Sequence, residues 1–302
     1  MASPAMGSSF AIQPCGGFSL RAANRFGFGP RKAAEEDVMR LAFALDGSHE
    51  PAGAVLRQDA DTPSHDGAVR GTVVGAAAPA AVRRQVARVL SLDHDGREWA
   101  RTGVHDPVIG RLQAAFPGLR PVLFGSPYEA AAWGVLSART RHAQAVALRD
   151  RLAERLGTVL ELEGRPMAAF PHPQALLDGA RDVPGLPAEK ARRLRGIAEA
   201  ALEGRLEADR LRALGPEAAR AELLGLRGVG PFWATLIVVR AVGFADVPPA
   251  DEPRLRRAVA HAYELPAEPD AAALERLAET WRPFRTWSAV LVRVAAERAG
   301  VV

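Results

Sequence analysis

The apolar period of this chain changes once, near Pro79, and that change limits the folds open to it. Before it, short apolar runs at Phe18-Ser19-Leu20, Val38 to Leu45, Ala54 to Arg57 and Val69 to Val74 are separated by turn residues, Asp46-Gly47 and Asp66-Gly67 among them. Asp-Gly between apolar runs is a hairpin signal, so this part reads as a small antiparallel sheet. From Pro79 the apolar residues recur three and four apart, as in Val82, Val86, Val89 and Leu90, which is the spacing of one helix face. Helices are expected over Pro127 to Leu156, Ala188 to Glu203, Leu206 to Leu214, Pro216 to Leu224, Pro231 to Val242, Arg254 to Tyr263, Asp270 to Thr280 and Phe284 to Ala299. Prolines and glycines mark their ends. The expected class is therefore α+β. A small N-terminal antiparallel β-domain with linking helices takes residues 1–116, and a mostly α-helical domain takes 117–302, with the boundary at Phe116-Pro117-Gly118.

Composition excludes several alternatives. With 302 residues, 48% of them hydrophobic and 25% charged, the chain has material for a sizeable core and is not disordered or collagenous. A single cysteine, Cys15, rules out an intramolecular disulfide framework and any multi-cysteine zinc or iron–sulfur site. No apolar run approaches the roughly 18–20 residues needed to span a bilayer. The first residues lack a basic region followed by a long apolar one, so no secretory signal is expected. A soluble, cytoplasmic protein with no membrane partner is the expectation. The 39 basic residues exceed the 35 acidic ones by four, and only Lys32 and Lys190 are lysines. Arginine is the better fork for phosphates, but so small an excess permits a nucleic-acid partner without demanding one.

The most informative stretch is Leu223-Leu224-Gly225-Leu226-Arg227-Gly228-Val229-Gly230-Pro231-Phe232-Trp233-Ala234. One helix ends, Gly228-Val229-Gly230 makes a tight turn, and Pro231 stands at the first position of the next helix. Glycines permit positive φ and close approach of another backbone. A helix start also presents unsatisfied N–H groups, which bind anions such as phosphate. A lone Gly-x-Gly is a common turn. It becomes specific here because helices flank it on both sides, the pattern of a helix-hairpin-helix DNA-binding element. It is not a dinucleotide fingerprint, since no strand precedes it and no third glycine follows.

About twenty residues later comes Val247-Pro248-Pro249-Ala250-Asp251-Glu252-Pro253-Arg254-Leu255. With this carboxylate pair the chain resembles the helix-hairpin-helix DNA glycosylase superfamily, in particular the 3-methyladenine DNA glycosylase II type. The likeness extends over nearly the whole chain. Phe18-Ser19-Leu20 with Phe26-Gly27-Phe28-Gly29 is similar to the opening of that family's β-domain, and Pro127-Tyr128-Glu129-Ala130 to the start of its first long helix. Phe170-Pro171-His172-Pro173-Gln174 is similar to its middle, and Trp281-Arg282-Pro283-Phe284-Arg285 to the start of its last helix.

The resemblance implies a flipped target base, because an N-glycosidic bond inside a duplex is inaccessible. It also implies a carboxylate facing the oxocarbenium-like charge that develops on the sugar. Asp251 is favoured for that role by residue type. Glu252 is the alternative, because a second family spacing places it there. Either is also suited to cap the helix at Pro253. Gly228, Gly230 and Arg227 are the expected phosphate contacts. Arg139, in Val135-Leu136-Ser137-Ala138-Arg139-Thr140, stands where the family has a loop that fills the hole left by the flipped base. Its guanidinium can stack and hydrogen bond there, or it is simply a solvated helix arginine. Phe232, Trp233 and Trp133 are the candidate base-pocket aromatics, against the ordinary alternative of core packing.

The position where lyases of the superfamily carry a Schiff-base lysine holds Phe232, so water is the expected nucleophile. No cofactor is expected, apart from a monovalent or hard divalent ion that the resemblance allows on the hairpin carbonyls. The histidines at 142, 172 and 261 show no metal-ligand spacing. Two readings stay open. One is a monomeric, monofunctional glycosylase excising alkylated purines of the 3-methyladenine type from double-stranded DNA in base excision repair. The other is a non-enzymatic damaged-DNA-binding protein of the same fold, which the altered loop and shifted carboxylate permit.

Overall fold

The structure, a computed structural model, describes residues 8–26, 37–59, 66–248 and 252–302. Strands β1 (Ser9–Ile12), β2 (Val38–Ala44), β3 (Pro51–Gln58) and β4 (Val69–Val74) form an antiparallel sheet in the order β1-β4-β3-β2. Three of the four expected runs are strands. The fourth, at Phe18 to Leu20, is not. Leu20–Arg25 is a short helix, α1, and Ser19 caps it by accepting the Ala22 N–H at 3.1 Å. A three-residue apolar run carries no period, so its burial was legible and its shape was not. Phe18 is fully buried.

Helix α2 (Pro79–Val89) lies against this sheet. Its Val82, Val86 and Val89, with Leu90 just beyond, join Met39, Phe43, Leu56 and Val73 in one core. Helices α3 (Gly96–His105) and α4 (Pro107–Ala115) follow, each started by an aspartate that accepts first-turn N–H groups, Asp95 and Asp106. Trp99 and Ile109 of these helices share a core with the chain's last helices, not with the sheet.

The central helices are α5 (Pro127–Ser137), α6 (His142–Leu156), α7 (Pro173–Gly179), α8 (Ala188–Leu202), α9 (Ala208–Leu214), α10 (Pro216–Leu224) and α11 (Pro231–Ile237). Helix α5 is the hub. Apart from Glu129 it is apolar on all sides and buried from Pro127 to Leu136, as a helix enclosed by others must be. The long segment 127–156 is thus two helices, broken at 138–141. The chain between α6 and α7 departs from the helical expectation: β5 (Val159–Glu161) pairs with β6 (Pro166–Ala168). Leu160 and Leu162 of this hairpin pack with Val55 of β3. Strands of three residues are too short to register as alternation.

Beyond α11 the helix widens into a π turn over Val238–Val242 and stops at Gly243, whose φ is +92°. Helices α12 (Pro253–Ala262), α13 (Ala271–Ala278) and α14 (Arg285–Arg298) complete the chain. Leu255, Val259, Trp281, Trp287 and Leu291 build their core. Among the described residues, no helix is long and apolar enough to cross a membrane.

Candidate nucleic-acid interface and base pocket

The hairpin between α10 and α11 is anchored by its apolar residues and exposes its polar ones. Leu226 and Val229 are buried, and the Val229 N–H donates to the Leu226 carbonyl at 3.0 Å. Gly228 has φ +101°, where a side chain is strained. A Cβ there would lie 3.0 Å from Cδ of Arg193 on α8 and 3.3 Å from Val135 on α5. Gly230 precedes the first turn of α11, with φ −89° and open space around the position of a Cβ. Arg227, Gly230, Pro231 and Phe232 form the exposed rim. Pro231 has no N–H, so the donors on this rim belong to Gly230, Phe232 and Trp233, the first groups of a helix that has no side-chain cap.

Behind the hairpin lies a cavity of about 310 Å³, at the small end of ligand pockets. Leu236 of α11, Val239 of the π turn and Val290 and Val294 of α14 supply apolar wall, and Phe232 stands at its edge. Phe232 is 56% exposed, unusual for a phenyl ring unless something covers it. Trp133 and Trp233 do not line this cavity. Trp133 is buried in the central core, edge-on to His142. Trp233 is half-buried and packs against α5 at Gly134, where a Cβ would lie 2.9 Å from its indole.

Of the two candidate carboxylates, Asp251 lies outside the described residues. Glu252 occupies the cap position of α12, yet its side chain accepts no hydrogen bond from the helix. It lines the cavity instead. Both of its oxygens accept from Nη1 of Arg293 on α14, at 2.8 and 2.5 Å, and Nη2 of the same guanidinium reaches Glu297 at 2.8 Å. Charge-assisted bonds of this kind fix a carboxylate's orientation as well as neutralising it. Arg240, on the π turn, is buried beneath the cavity, donates to the Val122 carbonyl at 2.7 Å and lies over the Phe26 ring. Burial pushes its guanidinium down to about 9. Arg293 and Arg240 were not among the expected site residues. The only sequence signal was the four-residue spacing of Arg293 and Glu297 on one helix.

The turn between α5 and α6 presents Arg139. Ala138 has φ −56° and ψ 120°, Arg139 has φ +53°, and the Thr140 N–H donates to the Ser137 carbonyl at 3.1 Å. This is a type II turn with arginine at the position that favours glycine. A left-handed backbone costs an ordinary residue roughly 1–2 kcal/mol. Arg139 is exposed, not part of either helix face. Of the two lysines, Lys32 lies outside the described residues, and the ammonium of Lys190 on α8 is engaged by the α5–α6 turn.

No family model matches the sequence. The DNA-3-methyladenine glycosylase of Bacillus subtilis is 24% identical over 205 residues, which is 66% of this chain and 67% of that protein. Among solved structures, the 3-methyladenine DNA-glycosylase of Archaeoglobus fulgidus superposes with a TM-score of 0.76 at 23% identity, over 97% of this chain and all of that one. The 8-oxoguanine glycosylase/lyase of Clostridium acetobutylicum, in complex with double-stranded DNA, superposes with a TM-score of 0.63 at 17% identity, over 82% and 83% of the two chains.

Proposed function

We propose that the chain, which shares the fold of the helix-hairpin-helix DNA glycosylases it superposes on, is a monofunctional DNA glycosylase excising alkylated purines of the 3-methyladenine type. The observation that carries this reading is the position of Glu252. The residue opening α12 turns its side chain away from that helix into a mostly apolar cavity, with Phe232 at the edge. Gly228, Gly230 and Arg227 hold the DNA backbone, Phe232 lies against the flipped base, and Arg139 enters the vacated stack. The protein acts as a monomer, and the N-terminal sheet supports the helical part that grips DNA.

In the reaction the C1′–N bond breaks with its electron pair leaving on the base. An N-alkylated purine, cationic in the nucleotide, departs neutral and needs no proton. A carboxylate at 251 or 252 faces the oxocarbenium-like sugar. Water then adds to C1′, and its proton passes to that carboxylate. The apolar wall excludes other water and strengthens the electrostatic contact.

A second reading has its own observation. Arg293 engages both oxygens of Glu252, and a neutralised carboxylate stabilises a cationic sugar less. If Asp251 also fails to reach the sugar, the protein binds damaged DNA without cutting the glycosidic bond. The test is base release from duplexes bearing 3-methyladenine, 7-methylguanine, hypoxanthine or ethenoadenine, using wild type, Asp251→Asn and Glu252→Gln. Loss of excision in one variant assigns the carboxylate. Tight binding with no release by wild type refutes the glycosylase reading for these lesions and favours the second.

A further inference from the structure

We propose that Lys190 is a positioning residue that holds the α5–α6 turn in the shape that aims Arg139 out of the protein. The Lys190 ammonium donates to three acceptors of this one turn. They are the Leu136 carbonyl, the Ala138 carbonyl at 3.1 Å and the Thr140 hydroxyl at 2.6 Å. An ammonium has three donors, and all three are used. Leu136 and Ala138 lie at the C-terminal end of α5, where carbonyls have no partner within the helix. The cation thus ends α5, and it spans both sides of the residue with positive φ. Thr140 locks the far side through its own hydroxyl, which donates to the Ala138 carbonyl at 3.1 Å.

Two further facts point the same way. Arg139 sits where a type II turn favours glycine, and backbone strain persists only where the surroundings over-determine it. Lys190 is also one of two lysines against 37 arginines. A planar guanidinium cannot converge on three acceptors spread around one point, whereas a compact ammonium on a flexible stem can. Burial and the neighbouring Arg193 lower the lysine's proton affinity, as expected for a cation withdrawn from water onto backbone oxygens.

This inference rests on the proposed DNA reading but not on excision. The probe is a duplex with a tetrahydrofuran abasic analogue and 2-aminopurine opposite it, whose fluorescence reports whether a side chain enters the gap. Wild type, Lys190→Met, Thr140→Val, Arg139→Ala and the Arg139→Ala/Lys190→Met double variant are compared at saturating protein, with urea midpoints measured alongside. The expected result is a fluorescence change for wild type that Lys190→Met loses as fully as Arg139→Ala, with Thr140→Val intermediate and the double variant no worse than Arg139→Ala. Affinity for the abasic duplex falls about 10-fold in Lys190→Met and no further in the double variant. A full change in Lys190→Met, additive losses in the double variant, or no change in wild type on binding overturns the proposal. If Lys190→Met does not fold, Thr140→Val decides: a wild-type change there refutes it. Failure of wild type to release any base, with these fluorescence results intact, refutes the glycosylase reading alone.

Discussion

Alanine at the two hairpin glycines separates folding from DNA binding. At Gly230, φ is −89° and ψ 177°, a conformation open to any residue, and no atom lies within 4 Å of a Cβ. Gly230→Ala therefore changes stability by about 0.5 kcal/mol or less, with the stiffer unfolded chain acting in the favourable direction. The added methyl stands on the exposed rim, where a phosphate gripped by the hairpin must come within about 2.9 Å of N–H donors. Displacing it loses one or two charge-assisted bonds of about 1.5–3 kcal/mol each, so affinity falls at least ~10-fold.

Gly228→Ala behaves differently. Its φ of +101° is outside the range of L residues, which costs about 1–3 kcal/mol. Its methyl would stand 3.0 Å from Arg193 Cδ and 3.3 Å from Val135. Overpacking of this kind costs about 1–3 kcal/mol. Together these amount to about 2–6 kcal/mol, a large part of the ~5–15 kcal/mol that holds an ordinary domain folded. Urea unfolding followed by tryptophan fluorescence, and anisotropy with a fixed-length duplex at one salt concentration, measure the two quantities. Wild-type DNA affinity in Gly230→Ala would show that the hairpin is not the phosphate clamp. Equal destabilisation by the two substitutions would refute the steric reasoning.

Two further outcomes follow from the same geometry. Arg139→Gly relieves the turn and raises stability by up to about 1 kcal/mol, while abolishing the fluorescence change on abasic duplex; a destabilised variant in the urea titration contradicts the strain. His49 is buried between the Tyr128 and His172 rings, with Nε2 3.3 Å from the Ala201 carbonyl. Burial lowers its proton affinity, His172 acts in the same sense, and Asp46 and Glu207 act against it. A histidine whose folded-state value is depressed loses stability when protonated. Its contribution is therefore complete above about pH 6.5, the unfolded value, and is lost as pH falls below it. His49→Asn, which tolerates the φ of +58°, should flatten the dependence of the urea midpoint on pH between about 7 and 5. An unchanged slope assigns the dependence to another group.

The division into a strand-rich beginning and a helical remainder was legible because period and turn chemistry are local. Val82, Val86 and Val89 declare a helix face without reference to anything else in the chain, and Gly228-Val229-Gly230-Pro231 declares a tight turn into a helix. The same locality led the reading astray where an element is too short to show a period, as at Phe18 to Leu20 and at β5–β6. Residue type alone also could not decide the aromatics. Trp133, Trp233 and Phe232 are equivalent as apolar rings, but α5 is enclosed on all sides and buries the first, Gly134 admits the second, and only the third is left at the cavity.

The sequence by itself thus determined the hairpin and the helical character of the chain that flanks it, both consequences of contacts three or four residues apart. Tertiary structure alone decided what those residues face. Arg293 meets Glu252 across 41 residues and Lys190 meets Leu136 across 54. Nothing within a helical turn of either arginine or lysine announces its partner. Such pairs exist only once the packing of α8 on α5 and of α12 on α14 has brought the chain together, because charge and hydrogen bonding act over ångströms of space and not along sequence.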